Sequence, residues 1–290
     1  LVIIDYPDFN WRLAARAKER GIPVFSYIPP SAWAWRKGRA KSCAALADEI
    51  VAIFPHELPP YEVAGANISF VGNPLIDTVR AEMEPEEACR HFGIEENDVP
   101  ILLMPGSRRE EIERLLPPML GAAEILQTRD PARRFFLPVA GGVDEQRIEE
   151  HLAASPVEVT LTHDARYALM KAARAAIAAS GTVVMEAAVM GLPAVVLYRM
   201  SALSYFVGRL LVDVPRFSLP NILLGETFET ELLQGAVQPE RIAAAMEPII
   251  ADGEARSYVT ERLACAVEML GEPHAARRVA EKIIALGRRV

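Results

Sequence analysis

Two doubly wound α/β domains in series are what this sequence predicts, and three observations predict them. Short, near-continuous apolar runs alternate with amphipathic helical stretches, the pattern of parallel strands covered by helices on both faces. A Glu-rich connection, Glu82 to Asp98, interrupts the alternation once, and the same pattern restarts behind it. The 290 residues are enough to bury a core in each half.

In the first half, Leu1–Ile4, Pro23–Ile28, Ile50–Phe54 and Ile68–Val71 read as strands, with helices at Asn10–Arg20 and Lys37–Ala47 and a short turn at Pro59–Ala64. The chain starts at Leu1, with no methionine, directly on an apolar strand. It is therefore expected to be a fragment whose amino-terminal portion is missing. The Glu-rich connection holds one short helix. Strands then follow at Pro100–Met104, Arg134–Val139, Val157–Leu161, Ala175–Ala179 and Ala194–Tyr198, with helices at Glu110–Gln127, Glu145–Ala154, Ala165–Ala173 and Val183–Met190 between them. Leu219–Gly225 reads as a loop, and Glu231–Gln234 as a helix start. The remainder is helical, at Pro239–Ala251, Gly253–Leu270 and Pro273–Leu286, with Pro239 and Pro273 at helix starts, where proline is welcome. The expected domains are residues 1–95 and 96–270, with 271–290 a last helix that stays on the second domain or crosses back to the first.

Apolar residues make up 51% and charged residues 24%, ordinary for a folded globular chain. A net charge of −8 argues against a nucleic-acid partner, since phosphate-backbone binding wants a basic surface. Cys43, Cys89 and Cys265 are scattered, without CxxC pairing, and no two histidines have ligand spacing. No metal site or disulfide framework is expected, and a reducing cytoplasm fits best. No segment has the pattern of a signal peptide, and no apolar run approaches the roughly 20 residues of a spanning helix.

Ligands of open α/β sheets bind beyond the carboxyl ends of the strands, so the residues after each strand are the candidates. The first strand ends in Asp5-Tyr6-Pro7-Asp8-Phe9-Asn10. Asp5, the first polar residue after a buried run, suits a general base on an acceptor hydroxyl, while Asp8 with Asn10 fits a helix cap. Pro105-Gly106-Ser107-Arg108 joins a strand to a helix; Ser107 and Glu110 have capping-box spacing, and Arg108 supplies a permanently charged donor fork. Helix amides plus Arg108 read as a diphosphate clamp, although a capped helix with a solvated arginine fits the same residues. Ser180-Gly181-Thr182 has the same form, and Glu186 lies one turn into an otherwise apolar helix. Buried there, its carboxylate needs a partner such as a ribose diol, or else it complements the helix dipole. Asn221, Glu231 and Gln234 are polar groups among apolar neighbours. Ser204, Tyr205, Phe206, Val207, Leu210 and Leu211, beside Arg209, read as a packed core helix in preference to one lying on a membrane.

Taken in order, Ile4-Asp5-Tyr6-Pro7-Asp8-Phe9-Asn10, Ala32-Trp33-Ala34-Trp35-Arg36, Pro105-Gly106-Ser107-Arg108, Ala179-Ser180-Gly181-Thr182 with Glu186, Tyr198-Arg199-Met200, and Ser218-Leu219-Pro220-Asn221 through Glu231-Leu232-Leu233-Gln234 resemble the motifs of the bacterial lipid-A-disaccharide synthases. One such motif is weak, whereas six in register over essentially the whole chain are specific. The resemblance implies a GT-B fold, two Rossmann-like domains facing a cleft, the amino-terminal one incomplete here. It implies inverting transfer of 2,3-diacylglucosamine from its UDP conjugate to 2,3-diacylglucosamine 1-phosphate, without a metal or cofactor, in lipid A biosynthesis. By motif, Asp5 would be the base and Arg108 would neutralise the departing UDP. Glu186 would hold the ribose, and Ser107, Ser180, Gly181, Thr182, Asn221, Glu231 and Gln234 would line the donor side. Asp8, Trp33 and Asn73 would lie on the acceptor side. The acyl substrates imply peripheral attachment to the cytoplasmic face of the inner membrane; a homodimer is a further expectation.

Two departures from the family pattern stand out. Asn73 occupies a position where the family usually has a histidine, so no proton transfer is assigned to it. The family's early Gly-Glu-x-Ser-Gly-Asp segment and an apolar membrane-docking surface are absent, which predicts that this chain alone is inactive or nearly so. A UDP-N-acetylglucosamine 2-epimerase shares the two-lobed pattern, but Trp33-Ala34-Trp35 and Leu219-Pro220-Asn221 argue against it. An inactive nucleotide-binding module is a non-enzymatic alternative. An NAD-dependent oxidoreductase is disfavoured, because no GxGxxG follows a strand.

Overall fold

The computed structural model describes residues 1–33, 38–201 and 215–288. Ala34-Trp35-Arg36 and the apolar stretch from Ser204 to Leu211 lie outside the described residues. The chain divides into two units, one of residues 1–78 and 268–288 and one of 79–201 and 216–267.

The first unit holds four parallel strands in sequence order: β1 (Val2–Ile4), β2 (Phe25–Tyr27), β3 (Glu49–Ala52) and β4 (Ile68–Phe70). Parallel neighbours need crossover helices, supplied by α1 (Pro7–Glu19), α2 (Gly38–Leu46) and α3 (Leu58–Val63). The two-residue period of the strands sorts their side chains. Val24 and Ile50 join Ala14, Ala17, Ala40, Cys43 and the fully buried Tyr61 in one cluster. Their neighbours Phe25 and Val51 pack with Val279 of the last helix, α13 (Ala275–Gly287), in another.

That helix is tied to the first unit by polar contacts as well. The Asp77 carboxylate accepts from the amides of His274 (2.7 Å) and Ala275 (3.2 Å), the start of the helix. Arg278 donates to the carbonyls of Val71, Pro273 and Glu272, and Lys282 pairs with Glu49 at 2.8 Å. Gly72 is needed here: at φ +105, a Cβ would lie 2.8 Å from the Glu272 carbonyl oxygen.

The boundary falls after α4 (Leu75–Thr78), earlier than the residue-95 boundary read from composition. Although charged, the Glu-rich connection packs with the second unit. Its helix α5 (Pro85–Phe92) buries Ala88, and Glu82 accepts from the Ala168 amide at 2.8 Å.

The second unit is a six-stranded parallel sheet in the order β10-β9-β8-β5-β6-β7. Its strands are β5 (Val99–Met104), β6 (Arg133–Pro138), β7 (Val159–Thr162), β8 (Ala175–Ala179), β9 (Ala194–Tyr198) and β10 (Glu231–Leu233). Around them run α6 (Arg109–Arg129), α7 (Glu145–Ala153), α8 (Arg166–Ala172), α9 (Thr182–Val189), α10 (Leu219–Leu224), α11 (Pro239–Ile250) and α12 (Glu254–Glu268). The chain builds outward from β5 to β7, then returns to the other side of β5 and builds outward again through β8, β9 and β10. The turnover point of that order lies between β5 and β8, where such sheets bind ligands beyond the strand ends.

Two sequence expectations are corrected here. Leu219–Leu224 is a helix rather than a loop, with Pro220 in its first turn and Gly225 (φ 70) closing it. Glu231–Leu233 is a strand paired with β9, and only Gln234 begins a helical turn, the 3-10 segment Gln234–Ala236. A three-residue strand without β-branched residues carries no periodic signal, so its pairing partner decides it.

Candidate functional site

At the β5–β8 turnover, the second unit has a cavity of about 610 Å³. Its wall is made by the segments that follow strands: Pro105 to Arg108 after β5, Val139 to Gly141 after β6, and Ser180 to Thr182 after β8. Glu186 from α9, with His163 and Arg166 from around the start of α8, completes the polar lining. Ser107, Arg108, Ser180, Gly181, Thr182 and Glu186, predicted as donor-side residues, are thus brought together.

The β5–α6 segment differs from its expected form. Arg108, not Ser107, is the residue before the helix, and Glu111, not Glu110, folds back on it. Glu111 Oε2 accepts from the amides of Ser107 and Arg108, both at 3.2 Å, and Oε1 accepts from the Arg108 guanidinium at 2.7 Å. The helix start attracts an anion, and the chain's own carboxylate fills that role. Gly106, at φ +104, is required because a Cβ there would collide with the Glu111 carboxylate. The Arg108 side chain remains 80% exposed, which leaves most of its donor fork open to the cavity.

On the β8 side, the Ser180 hydroxyl donates to the Phe217 carbonyl at 2.9 Å, and a Cβ on Gly181 would meet nothing within 4 Å, so the wall is open there. The Glu186 side chain is only 12% exposed. Burial raises its pKa, and Arg166, whose Nη2 lies 3.3 Å from Glu186 Oε1, opposes that rise.

Other predicted residues lie elsewhere. Asn221 is fully buried and spends both ends of its amide within the fold. Its Nδ2 donates to the Glu229 carbonyl (2.9 Å) and to Glu231 (2.8 Å), while Oδ1 accepts from the amides of Phe228 and Glu229. Glu231 also accepts from the Phe217 and Ser218 amides at the start of α10. These two residues hold the loop around α10 rather than line the cavity. Gln234 accepts from the Met200 amide at 3.4 Å, and its buried Nε2 has no partner among the described residues.

In the first unit, Asp5 and Tyr6 both adopt left-handed backbone (φ 45 and 44) at the end of β1. Asn10 Nδ2 pins this turn by donating to the carbonyls of Ile4 (3.1 Å) and Asp5 (2.8 Å). Asp8 therefore caps nothing: Tyr6 precedes the helix, and the Asp8 carboxylate pairs with Arg39 at 3.0 Å. Trp33 stands edge-on to His56, ring centroids 4.8 Å apart. Asn73 is only 1% exposed and bridges the Ile53 carbonyl and the Leu75 amide, so it is an internal brace rather than an acceptor contact.

His163, Arg166 and Glu111 line the cavity without having been singled out from sequence. Arg166 follows Ala165, whose left-handed backbone (φ 44) turns the chain just before α8, and residue order carries no sign of that turn.

Two parallel-sheet α/β units, one with a polar cavity at its strand-order turnover, are the architecture of GT-B enzymes that use nucleotide sugars. Solved structures agree on the fold. The UDP-GlcNAc 2-epimerase of Neisseria meningitidis, bound to UDP-GlcNAc, superposes with a TM-score of 0.68 at 15% identity, covering 98% of this chain and 76% of that one. The UDP co-structure of S. aureus MnaA gives 0.66 at 14% identity, covering 100% and 76%. Sequence narrows the class: the profile of the lipid-A-disaccharide synthetase family matches residues 1–283. The lipid-A-disaccharide synthase of Syntrophus aciditrophicus is 45% identical over 287 residues, 99% of this chain and 75% of that protein. That of Geobacter metallireducens is 42% identical over 280 residues, 97% and 73%. The chain belongs to the lipid-A-disaccharide synthase family, and it is a glycosyltransferase of lipid A biosynthesis.

Proposed function

We propose that the cavity at the β5–β8 turnover is the UDP-sugar site. There, 2,3-diacylglucosamine leaves UDP for the 6-hydroxyl of 2,3-diacylglucosamine 1-phosphate. The observation that carries this reading is the convergence of Arg108, the start of α9 and Glu186 on one cavity. A glycosyl transfer builds negative charge on the departing diphosphate, so fixed donors aimed at it lower the barrier. Arg108 supplies the permanent charge, Ser107, Ser180, Gly181 and Thr182 surround the diphosphate, and the Glu186 carboxylate accepts from the ribose hydroxyls. Gln234 belongs to the donor side, its Nε2 having no partner among the described residues.

Asp5 is the base for the acceptor hydroxyl. Two consecutive left-handed, non-glycine residues cost about 1–3 kcal/mol each and persist where the surroundings enforce them, often at functional sites. Here the strained turn holds an exposed carboxylate at the end of β1. Arg108→Ala is expected to lower turnover by about two to three orders of magnitude and Asp5→Ala by at least two. Neither should move Tm appreciably, because both side chains are exposed. An Asp5→Ala enzyme with parental turnover contradicts its assignment as base, and formation of UDP-N-acetylmannosamine from UDP-N-acetylglucosamine alone favours epimerase chemistry.

The acyl chains of both substrates place the enzyme at the cytoplasmic face of the inner membrane as a peripheral protein. Among the described residues, no helix is long and apolar enough to cross a membrane. Self-association as a homodimer belongs to the same reading, and light scattering at the mass of one chain would discard it.

A further inference from the structure

We infer that Arg166 is a positioning residue for the donor: it holds the Glu186 carboxylate in place across the cavity and thereby sets how well the site reads a ribose. This inference rests on the assignment of Glu186 to the ribose. Arg166 enters the cavity from the first residue of α8, and its Nη2 lies 3.3 Å from Glu186 Oε1.

The arginine is itself held from several sides. Its Nη2 donates to the Tyr167 hydroxyl at 2.5 Å, and its guanidinium carbon lies 4.6 Å from the centre of the Tyr167 ring. The Glu82 carboxylate, which accepts from the Ala168 amide, adds attraction from the α5 side. The left-handed Ala165 turns the chain immediately before it. A planar guanidinium clamped in this way fixes the direction of its carboxylate partner better than a mobile ammonium does.

The consequence is chemical. Glu186 is mostly buried, and burial favours its neutral form. A neutral carboxyl keeps one acceptor and turns the other oxygen into a donor, whereas two ribose hydroxyls need two acceptors. Arg166 supports the ionised form, which offers a ligand Oε2 and the second lone pair of Oε1 as acceptors. The charged and titratable groups around the pair are Glu82, Tyr167, Arg108, Glu111 and His163. Arg108 is engaged by Glu111, and His163 by Glu145 at 3.4 Å, so among the described residues Arg166 is the cation paired with Glu186.

Calorimetric titration with UDP and with 2′-deoxy-UDP tests this, using the parent chain, Arg166→Gln, Arg166→Lys and Glu186→Gln. The parent should prefer UDP. Arg166→Gln should weaken UDP binding by about tenfold and bring the UDP to deoxy-UDP ratio towards one, with partial rescue by Arg166→Lys. In turnover, the loss should fall on KM for the donor, with kcat nearly unchanged. The Arg166 side chain is 49% exposed, so these variants should fold, and an unchanged Tm confirms it. If Glu186→Gln weakens UDP and flattens the ratio while Arg166→Gln binds both nucleotides as the parent does, the inference is overturned and the ribose assignment stands. If Glu186→Gln itself leaves UDP binding and the ratio unchanged, the ribose assignment falls and the inference with it.

Discussion

Glu229 is the most deeply buried carboxyl of the second unit. Burial is the main reason its pKa rises to about 8, against the opposing hydrogen bonds from the Ser218 hydroxyl and the Ala194 backbone, with nearby Glu231 adding to the rise. The folded state therefore keeps a proton that the unfolded chain gives up near its usual value of 4.5. Its contribution is full below that value and is lost as pH rises towards 8. Glu229→Gln stays neutral throughout, so its Tm should gain on that of the parent between about pH 5 and pH 8 and hold a constant lead above. A Tm difference that is flat across this range would contradict the assignment. The site residues show how far such detail could be read beforehand. Ser180 to Thr182 and Arg108 follow strands, whose carboxyl ends gather in space in parallel sheets, and Glu186 is a carboxylate in an otherwise apolar helix, so the sequence marks them and the fold puts them on one cavity. Asn221, a polar residue among apolar ones, and Asn73, standing where the family usually has a histidine, are both braces inside the fold. A polar residue's burial depends on which backbone groups near it lack partners, and spacing does not report that.

At the scale of elements, strands with Val, Ile and Phe runs and helices with clear starts were legible, whereas short elements set by a partner were not. Strand β10 exists because β9 offers it an edge, and the Glu-rich connection belongs to the second unit because α5 packs on α8. The last helix shows the same dependence. Its sequence left two docking places open, and contacts with Phe25, Val51, Val71 and Asp77 fix it on the first unit. Asp77→Ala removes acceptors from two amides at the start of α13 and should cost about 1–2 kcal/mol. Urea unfolding reads that cost, and hydrogen exchange should show the loss concentrated in residues 274–282. Parental stability with unchanged exchange there would show that the cap contributes nothing.

At the scale of the molecule, the fold class and the family were both within reach of sequence: the alternation of elements restarts once, and six motifs keep their order. Peripheral attachment should appear as sedimentation with vesicles containing anionic phospholipid, and recovery of all the protein in the supernatant would contradict it. The central claim, however, is where the nucleotide sits. Hydrogen exchange of the chain with and without saturating UDP tests it most directly. UDP should slow exchange in residues 105–109 and 180–186, at the ends of β5 and β8, and leave residues 25–30 at the end of β2 unchanged. Protection confined to the first unit, with none at the β5–β8 turnover, would contradict the account.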